Sequence, residues 1–159
     1  MPKALLTGGS SKFGAVLRDV LEVSYDVEVV PRNVLKALFV GTANEYDFIF
    51  FNHNMPADDG FDTTPQTILN SMSYVGKVGW MVTQQALHLS QTWLPQPELQ
   101  NYVAQKAIYI TQMRAYADKY KTFVCDPGSL DTGNYLRKAT ELAEYSLSQY
   151  ETGSILRLK

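Results

Sequence analysis

Short apolar runs alternate with stretches of helical periodicity along this chain. Runs rich in β-branched or aromatic residues predict buried strands at residues 3–7, 27–30 and 47–51. Between the first two runs, apolar residues recur at helical spacing and predict a helix: Phe13, Val16, Leu17, Val20 and Leu21. Strands that alternate with helices predict an α/β fold, with a mostly parallel sheet covered on both faces.

One long stripe of apolar and small residues dominates the middle of the chain. Thr63 and Gln66 have the spacing of a capping box that would begin a helix. The residues that then recur at helical spacing are Ile68, Met72, Val75, Gly79, Val82, Ala86 and Leu89. This stripe predicts one helix over residues 64–90, and two prolines separate it from a second helix over residues 98–120.

The C-terminal part of the chain alternates in the same way. It predicts a strand at residues 122–125, a helix at 135–150 and a terminal strand at 154–158, while residues 33–42 have room for one short helix. We find no repeat, low-complexity region or linker, so we predict a single domain over residues 1–159 with five or six strands.

Composition excludes several classes of partner. A formal net charge of −2 and a pI near 5.6 give no electrostatic basis for binding nucleic acid or an anionic membrane. No apolar run approaches the roughly 20 residues that span a bilayer, and residues 1–6 resemble a strand rather than a signal peptide. With Cys125 as the single cysteine and only two histidines, we expect no disulfide and no metal site. A cytoplasmic protein is therefore expected.

The first predicted strand ends in a Gly-rich turn that leads into the first helix. Glycines let a backbone approach a diphosphate closely, and the helix N-terminus offers free N–H groups and positive potential. As an isolated pattern the turn fits an ordinary tight turn equally well. The candidate dinucleotide-binding residues of the turn are Gly8, Ser10, Ser11, Lys12, Phe13 and Gly14.

Three further segments follow this turn in a characteristic order. They are Asn52-His53-Asn54 after the third strand, Tyr102 with Lys106 on a helix, and Pro127-Gly128 after the next strand. Together with the turn and the terminal strand, they resemble the short-chain dehydrogenase/reductase family nearly end to end. The resemblance implies a Rossmann-like, doubly wound sheet of reduced size. It also implies a nicotinamide dinucleotide held by the turn and by Asn52, His53, Asn54, Lys106, Pro127, Gly128 and Thr132.

The resemblance gives Tyr102 and Lys106 catalytic roles. Tyr102 would exchange a proton with the substrate oxygen while hydride moves to or from the nicotinamide. A free phenol has a pKa near 10 and is a poor base, so a nearby ammonium is needed to favour the phenolate. Lys106 would supply that charge and also hold the ribose hydroxyls. Without the other segments, the pair fits a half-buried aromatic and a surface lysine.

The serine that polarises the substrate oxygen in the family has no clear counterpart. Ser90 has about the expected spacing from Tyr102, and Thr83 is the second candidate if its surroundings form a strand. The family's strand between the two long helices has only residues 91–100 available. The segment that covers the substrate after Pro127-Gly128 is nearly absent.

These features lead to one favoured function and two alternatives. Arg32 after the second strand and Lys12 in the turn favour NADP(H) over NAD(H), since no acidic residue ends that strand. We predict an oxidoreductase acting on a small carbonyl or alcohol; the alternatives are a catalytically impaired dinucleotide-binding regulator and a scaffold protein. The resemblance further implies a homodimer or homotetramer formed through helices 64–90 and 98–120.

Overall fold

The computed structural model describes residues 1–31, 44–53, 62–87 and 97–159. The helix predicted at residues 33–42 lies outside them. In the described residues the strands are β1 (Lys3–Thr7), β2 (Asp26–Val30), β3 (Glu45–Phe51), β4 (Tyr74–Met81), β5 (Lys121–Asp126) and β6 (Ser154–Arg157). The helices are α1 (Lys12–Leu21), α2 (Thr64–Asn70), α3 (Gln84–Leu87), α4 (Pro97–Tyr116) and α5 (Tyr135–Leu147).

All six strands are parallel and form one sheet in the order β2-β1-β3-β4-β5-β6. Leu17 of α1 and Leu142 of α5 belong to the hydrophobic core on one face, and Ile68 of α2 and Val103 of α4 to the core on the other. The predicted doubly wound α/β sheet is therefore confirmed. The strand order reverses between β1 and β3, which is where open parallel sheets form a crevice for ligands.

The long helix predicted over residues 64–90 is wrong. Its first part is α2, but residues 74–81 form β4 in the middle of the sheet. Gly79 packs beneath two aromatic rings, and a Cβ there would lie 2.5 Å from Phe123 Cζ and 2.8 Å from Phe50 Cδ1. A strand buried on both faces lacks the polar–apolar alternation that identifies strands, so its residues also fit a helical stripe.

Two related predictions need the same correction. The strand between the helices is β4; of the segment 91–100, residues 97–100 begin α4 and the others lie outside the described residues. The capping box is also wrong: the Thr63 side chain makes no capping bond, and Asp62 Oδ1 accepts a hydrogen bond from the Thr64 N–H at 2.9 Å instead.

The interface expected on helices 64–90 and 98–120 cannot include residues 74–81. Residues 74–81 lie inside the sheet, so they cannot offer an outer helical face to a second copy. The homodimer or homotetramer stays a prediction that involves α2 and α4, and light scattering tests it directly. No helix in the described ranges has the length and apolar character needed to cross a membrane.

Candidate functional site

The Gly-rich turn joins the carboxyl end of β1 to the N-terminus of α1. Gly8 has a φ of 69°, a conformation that a residue with a Cβ rarely adopts. Ser11 caps α1: its Oγ accepts a hydrogen bond from the Gly14 N–H at 2.9 Å and donates one to Gly8 O at 3.0 Å. Asn52 Nδ2 donates to the same Gly8 oxygen at 3.1 Å, which ties the turn to the end of β3.

The close packing of this turn explains its glycines. A Cβ on Gly14 would lie 2.0 Å from Gly8 O, and one on Gly8 would lie 2.8 Å from the backbone of Asn52. The backbone is therefore compact and bare at the point where a diphosphate would approach. Ser10, Ser11 and Lys12 are exposed.

Phe13 takes a different position from its exposed neighbours in the turn. Its ring is 6% exposed, belongs to the hydrophobic core and packs edge-to-face on Tyr135, with 5.8 Å between ring centroids. As a predicted cofactor-binding residue, Phe13 can therefore contribute its backbone, while its ring anchors the turn to α5.

His53, a predicted cofactor-site residue, has a protein partner on each ring nitrogen. The ring is buried, with Nδ1 2.7 Å from Thr7 Oγ1 and Nε2 2.8 Å from Asp62 Oδ2. Thr7 Oγ1 already accepts the backbone N–H groups of Asn52 and His53, so its own proton goes to Nδ1. In this pattern Nε2–H donates to Asp62. Asn54 lies outside the described residues.

Asp62 is the centre of a buried polar cluster that sequence reasoning missed. Its Oδ2 accepts hydrogen bonds from His53 Nε2 and, at 2.5 Å, from the Tyr109 hydroxyl. Its backbone N–H donates to Gln105 Oε1 at 3.0 Å, and its carbonyl accepts from Gln112 Nε2 at 2.7 Å. The cluster thus joins β1, β3, the start of α2 and α4.

The carboxylate of Asp62 is ionised in this cluster. Burial by itself would raise the pKa of the Asp62 carboxyl, but hydrogen bonds from His53, Thr64 and Tyr109 outweigh it and hold the pKa well below its ordinary value. Buried polar groups that are fully hydrogen-bonded rigidify a site, whereas a buried group left without its partner is costly.

We expect Asp62→Asn to destabilise the fold by about 1–3 kcal/mol at neutral pH, because the amide cannot accept from all three donors. The folded-state pKa of Asp62 lies below its unfolded value of about 3.9. Its stabilising contribution is therefore present above about pH 4 and is lost as the pH falls toward the folded-state pKa.

Urea unfolding from neutral to acidic pH measures both effects. The parent should lose stability below about pH 4, and Asp62→Asn should show a smaller loss there. Asp118→Asn is the control, because Asp118 is exposed and the same charge is removed. Equal stability of Asp62→Asn and Asp118→Asn would contradict the prediction.

Tyr102 and Lys106 lie one turn apart on α4 beside the end of β4. Lys106 is 2% exposed, and its Nζ donates to Met81 O at 3.0 Å and lies 5.7 Å from the centroid of the Tyr102 ring. Tyr102 is 40% exposed at this edge of the sheet. The structure therefore brings the predicted pair together at the carboxyl ends of the strands, on the same side as the Gly-rich turn.

The pKa values of this pair differ from the sequence-based expectation. Burial raises the pKa of the Tyr102 phenol, and the expected lowering by Lys106 is not found in this geometry, where the ammonium is directed at Met81 O. Burial lowers the pKa of Lys106 to about 8, and the Asp62 charge acts in the opposite direction.

Thr83 takes the place where a polarising hydroxyl is expected. It follows β4 directly, two residues after Met81, whose carbonyl binds Lys106. Thr83 was a candidate on the condition that its surroundings form a strand. Because β4 replaces the predicted helix and ends at Met81, that condition is met. Thr83 Oγ1 also accepts from the Ala86 N–H at 3.3 Å. Ser90, the first candidate, lies outside the described residues.

Pro127 and Gly128 form a turn held from below by a buried lysine. Gly128 has a φ of 64°, and its N–H donates to Asp126 Oδ1 at 3.0 Å. Lys138 of α5 is 3% exposed, and its Nζ donates to the carbonyls of Pro127 and, at 2.8 Å, Ser129. Thr132 is exposed beyond this turn, and Arg32, the predicted cation for NADP(H), lies outside the described residues.

The missed residues left a weak signal in the sequence. Gln105, Tyr109 and Gln112 have helical spacing with Lys106 and form a polar stripe on the buried side of α4. A polar stripe on a buried helix face points to partners on another element, but the spacing does not say which. Among the described residues, no three His, Cys, Asp or Glu side chains are grouped to hold a metal ion.

Comparison with known proteins shows similarity in structure. No family model matches the chain, and no curated protein matches its sequence. The protein lin1944 from Listeria innocua superposes with a TM-score of 0.73 at 12% identity, with all of both chains covered. A short chain dehydrogenase from Burkholderia cenocepacia, in complex with NADP, has a TM-score of 0.68 at 15% identity, with 99% of this chain and 96% of that chain covered.

A third structure extends this similarity to a complex with the other dinucleotide. An oxidoreductase of the short chain dehydrogenase/reductase family from Brucella ovis, with a partially ordered NAD, has a TM-score of 0.65 at 16% identity, and all of both chains are covered. The chain therefore has the fold of the short-chain dehydrogenases/reductases. The resemblance that the motifs carry is confirmed at the level of the fold.

Proposed function

We propose that the protein is an oxidoreductase that uses a nicotinamide dinucleotide, NADP(H) by preference, to interconvert a small carbonyl compound and its alcohol. One observation carries the proposal: Lys106 is anchored on Met81 O at the end of β4, with Tyr102 beside it and the Gly-rich turn at the β1–β3 reversal along the same edge. The proposed dinucleotide site and the proposed proton-transfer pair would therefore lie along one edge of the sheet.

The residues present fit a dinucleotide. The compact turn from Gly8 to Gly14 leaves bare backbone and a capped helix N-terminus for a diphosphate. The Pro127–Gly128 turn at the end of β5 would border the nicotinamide, with Thr132 beyond it. When bound, the nicotinamide supplies or accepts the hydride of the reaction.

The proton-transfer step falls to Tyr102. In reduction its hydroxyl gives a proton to the substrate oxygen, and in oxidation the phenolate takes it back. To stabilise that phenolate by its charge, the Lys106 ammonium has to turn from Met81 O toward the phenol; Lys106 would also bind the ribose hydroxyls. Thr83 is the nearest described hydroxyl after β4 for polarising the substrate oxygen, in a role that typically contributes about 10²–10³ in rate.

The proposed preference for NADP(H) over NAD(H) rests on two cationic residues that would lie near the ribose of the adenosine half. Lys12 is exposed in the turn, and Arg32 follows directly on Pro31 after β2. We expect NADPH to bind more tightly than NADH by about tenfold or more, the value of one charge-assisted hydrogen bond. Lys12→Met should narrow the difference, and Lys119→Met, which removes an exposed lysine elsewhere, should leave it unchanged.

Fluorescence titration with NADPH and NADH tests the proposal, followed by turnover assays on a panel of aldehydes and ketones. Binding with turnover supports it. Binding of a dinucleotide without turnover of any of these compounds favours the alternative of a dinucleotide-binding regulator. The hydrogen bond from the Ala86 N–H to Thr83 Oγ1 would then be one reason for the missing activity. If neither dinucleotide binds at millimolar concentration, both ideas fail and the scaffold alternative remains.

A further inference from the structure

Lys106 carries its charge in a buried place. Within the described part of the chain its Nζ donates to Met81 O and lies over the faces of two tyrosines, 5.7 Å from the Tyr102 centroid and 5.3 Å from the Tyr109 centroid. A carbonyl and aromatic faces attract a cation, but neither bears a full negative charge. A buried ammonium tends to lose its proton under such conditions.

The Tyr109 side chain connects this ammonium to a carboxylate. Lys106 lies over its ring, and its hydroxyl donates to Asp62 Oδ2 at 2.5 Å. Among the residues that the structure describes, the titratable groups that face Lys106 are Tyr102 and Tyr109 from its own helix and Asp62 from the start of α2, with His53 of the β3 end behind Asp62. Asp62 is the acidic group among them.

We propose that Asp62 is a positioning residue for Lys106: its fixed carboxylate keeps the Lys106 ammonium charged beside Tyr102. The hydrogen bonds of His53, Thr64 and Tyr109 hold the carboxylate in one orientation. The Tyr109 side chain donates to this carboxylate and also lies under the Lys106 ammonium, so the negative charge of Asp62 is on the Lys106 side of the cluster.

The effect of the Asp62 charge on the pKa of Lys106 has a direction that can be measured. Burial lowers the pKa of Lys106 to about 8, and the Asp62 charge raises it. Without that charge, the titration midpoint of Lys106 should fall further and leave about half of the Lys106 side chains neutral at neutral pH. A neutral amine cannot stabilise the Tyr102 phenolate, so Asp62 would act on the reaction without touching substrate or cofactor.

The direct test is NMR titration of lysine labelled at Cε, with the Lys106 signal assigned by its loss in Lys106→Met. Asp62→Asn removes the charge and retains the backbone bonds to Gln105 and Gln112. We expect the Lys106 midpoint to move toward acid by about one pH unit, the lower end of what an opposite charge contributes, because the Tyr109 side chain separates the two groups. Asp118→Asn should not move it. An unchanged midpoint in folded Asp62→Asn overturns the proposal.

A second measurement decides the question if Asp62→Asn does not fold. Coupling is reciprocal, so removing the Lys106 charge should raise the pKa of Asp62. The stability contributed by the Asp62 carboxylate is then lost at a higher pH, and the acid-unfolding midpoint of Lys106→Met should move up relative to Lys119→Met. Equal midpoints for these two variants would refute the proposed coupling.

The catalytic consequence rests on the proposed function and is separable from it. In an active enzyme, the alkaline limb of the pH–rate profile should move toward acid in Asp62→Asn by the same amount as the Lys106 midpoint. A shifted Lys106 midpoint in a protein that binds neither NADPH nor NADH overturns the function and supports the coupling. Dinucleotide binding with an unshifted midpoint supports the function and overturns the coupling.

Discussion

Tyr102→Phe is expected to lower turnover by about 10²–10⁴, the contribution of a positioned general acid, while NADPH affinity stays near that of the parent. The substitution removes only the hydroxyl from a side chain that is 40% exposed. The ring that lies 5.7 Å from Lys106 Nζ remains, so the buried ammonium keeps this aromatic contact. Stability should therefore change little. Steady-state kinetics on a carbonyl compound that the parent reduces measures turnover, NADPH titration measures affinity, and urea unfolding measures stability.

The matched control for this experiment is Tyr74→Phe. Tyr74 is also exposed, but it begins β4 at the opposite end of the strand from Lys106's partner Met81. It should leave turnover unchanged. Parent-like activity in Tyr102→Phe would show that the Tyr102 hydroxyl takes no part in proton transfer.

Gly14→Ala is expected to weaken NADPH binding by about tenfold to a hundredfold and to cost about 1–3 kcal/mol of stability. The new Cβ would lie 2.0 Å from Gly8 O and 2.7 Å from Ser11 Oγ. The nearer atom is backbone and cannot rotate away, so the turn must separate from α1. That movement breaks the Ser11 cap and changes the surface that a diphosphate would contact.

Gly133→Ala is the control for backbone crowding. A Cβ on Gly133 meets the Asp131 side chain at 3.1 Å, and this flexible, exposed group can move. Its urea midpoint and NADPH affinity should match the parent. If Gly14→Ala binds NADPH as the parent does, the Gly-rich turn is not the phosphate site, whatever the result for Tyr102.

Much of the fold was readable because its signals are local. The strands at residues 3–7, 27–30, 47–51, 122–125 and 154–158 and the helices at 98–120 and 135–150 were all predicted, with the ends displaced by a few residues. Apolar runs and helical spacing depend on residues that are close in sequence. They can therefore be recognised without knowing which distant residues pack against them.

The middle of the chain was misread because its decisive contacts are distant. Gly79 lies in a strand since Phe50 and Phe123, from two neighbouring strands, fill the space above it. A local pattern cannot distinguish a buried strand with glycines from a helical stripe. Because of the same error, the position of Thr83 after a strand was not recognised. Residues 74–81 were also wrongly included in the expected interface.

The sequence by itself determined the alternation of strands and helices, the Gly-rich turn, and the pairing of Tyr102 with Lys106 one helical turn apart. Each depends on spacing within a few residues. The tertiary structure alone decided the central strand β4 and the cluster around Asp62, whose bonds join residues as distant as Thr7 with His53 and Asp62 with Tyr109. Those bonds span 46 and 47 positions of the chain. A buried charge is stabilised by whatever surrounds it in space, and only the packing of α4 against the sheet brings those groups together.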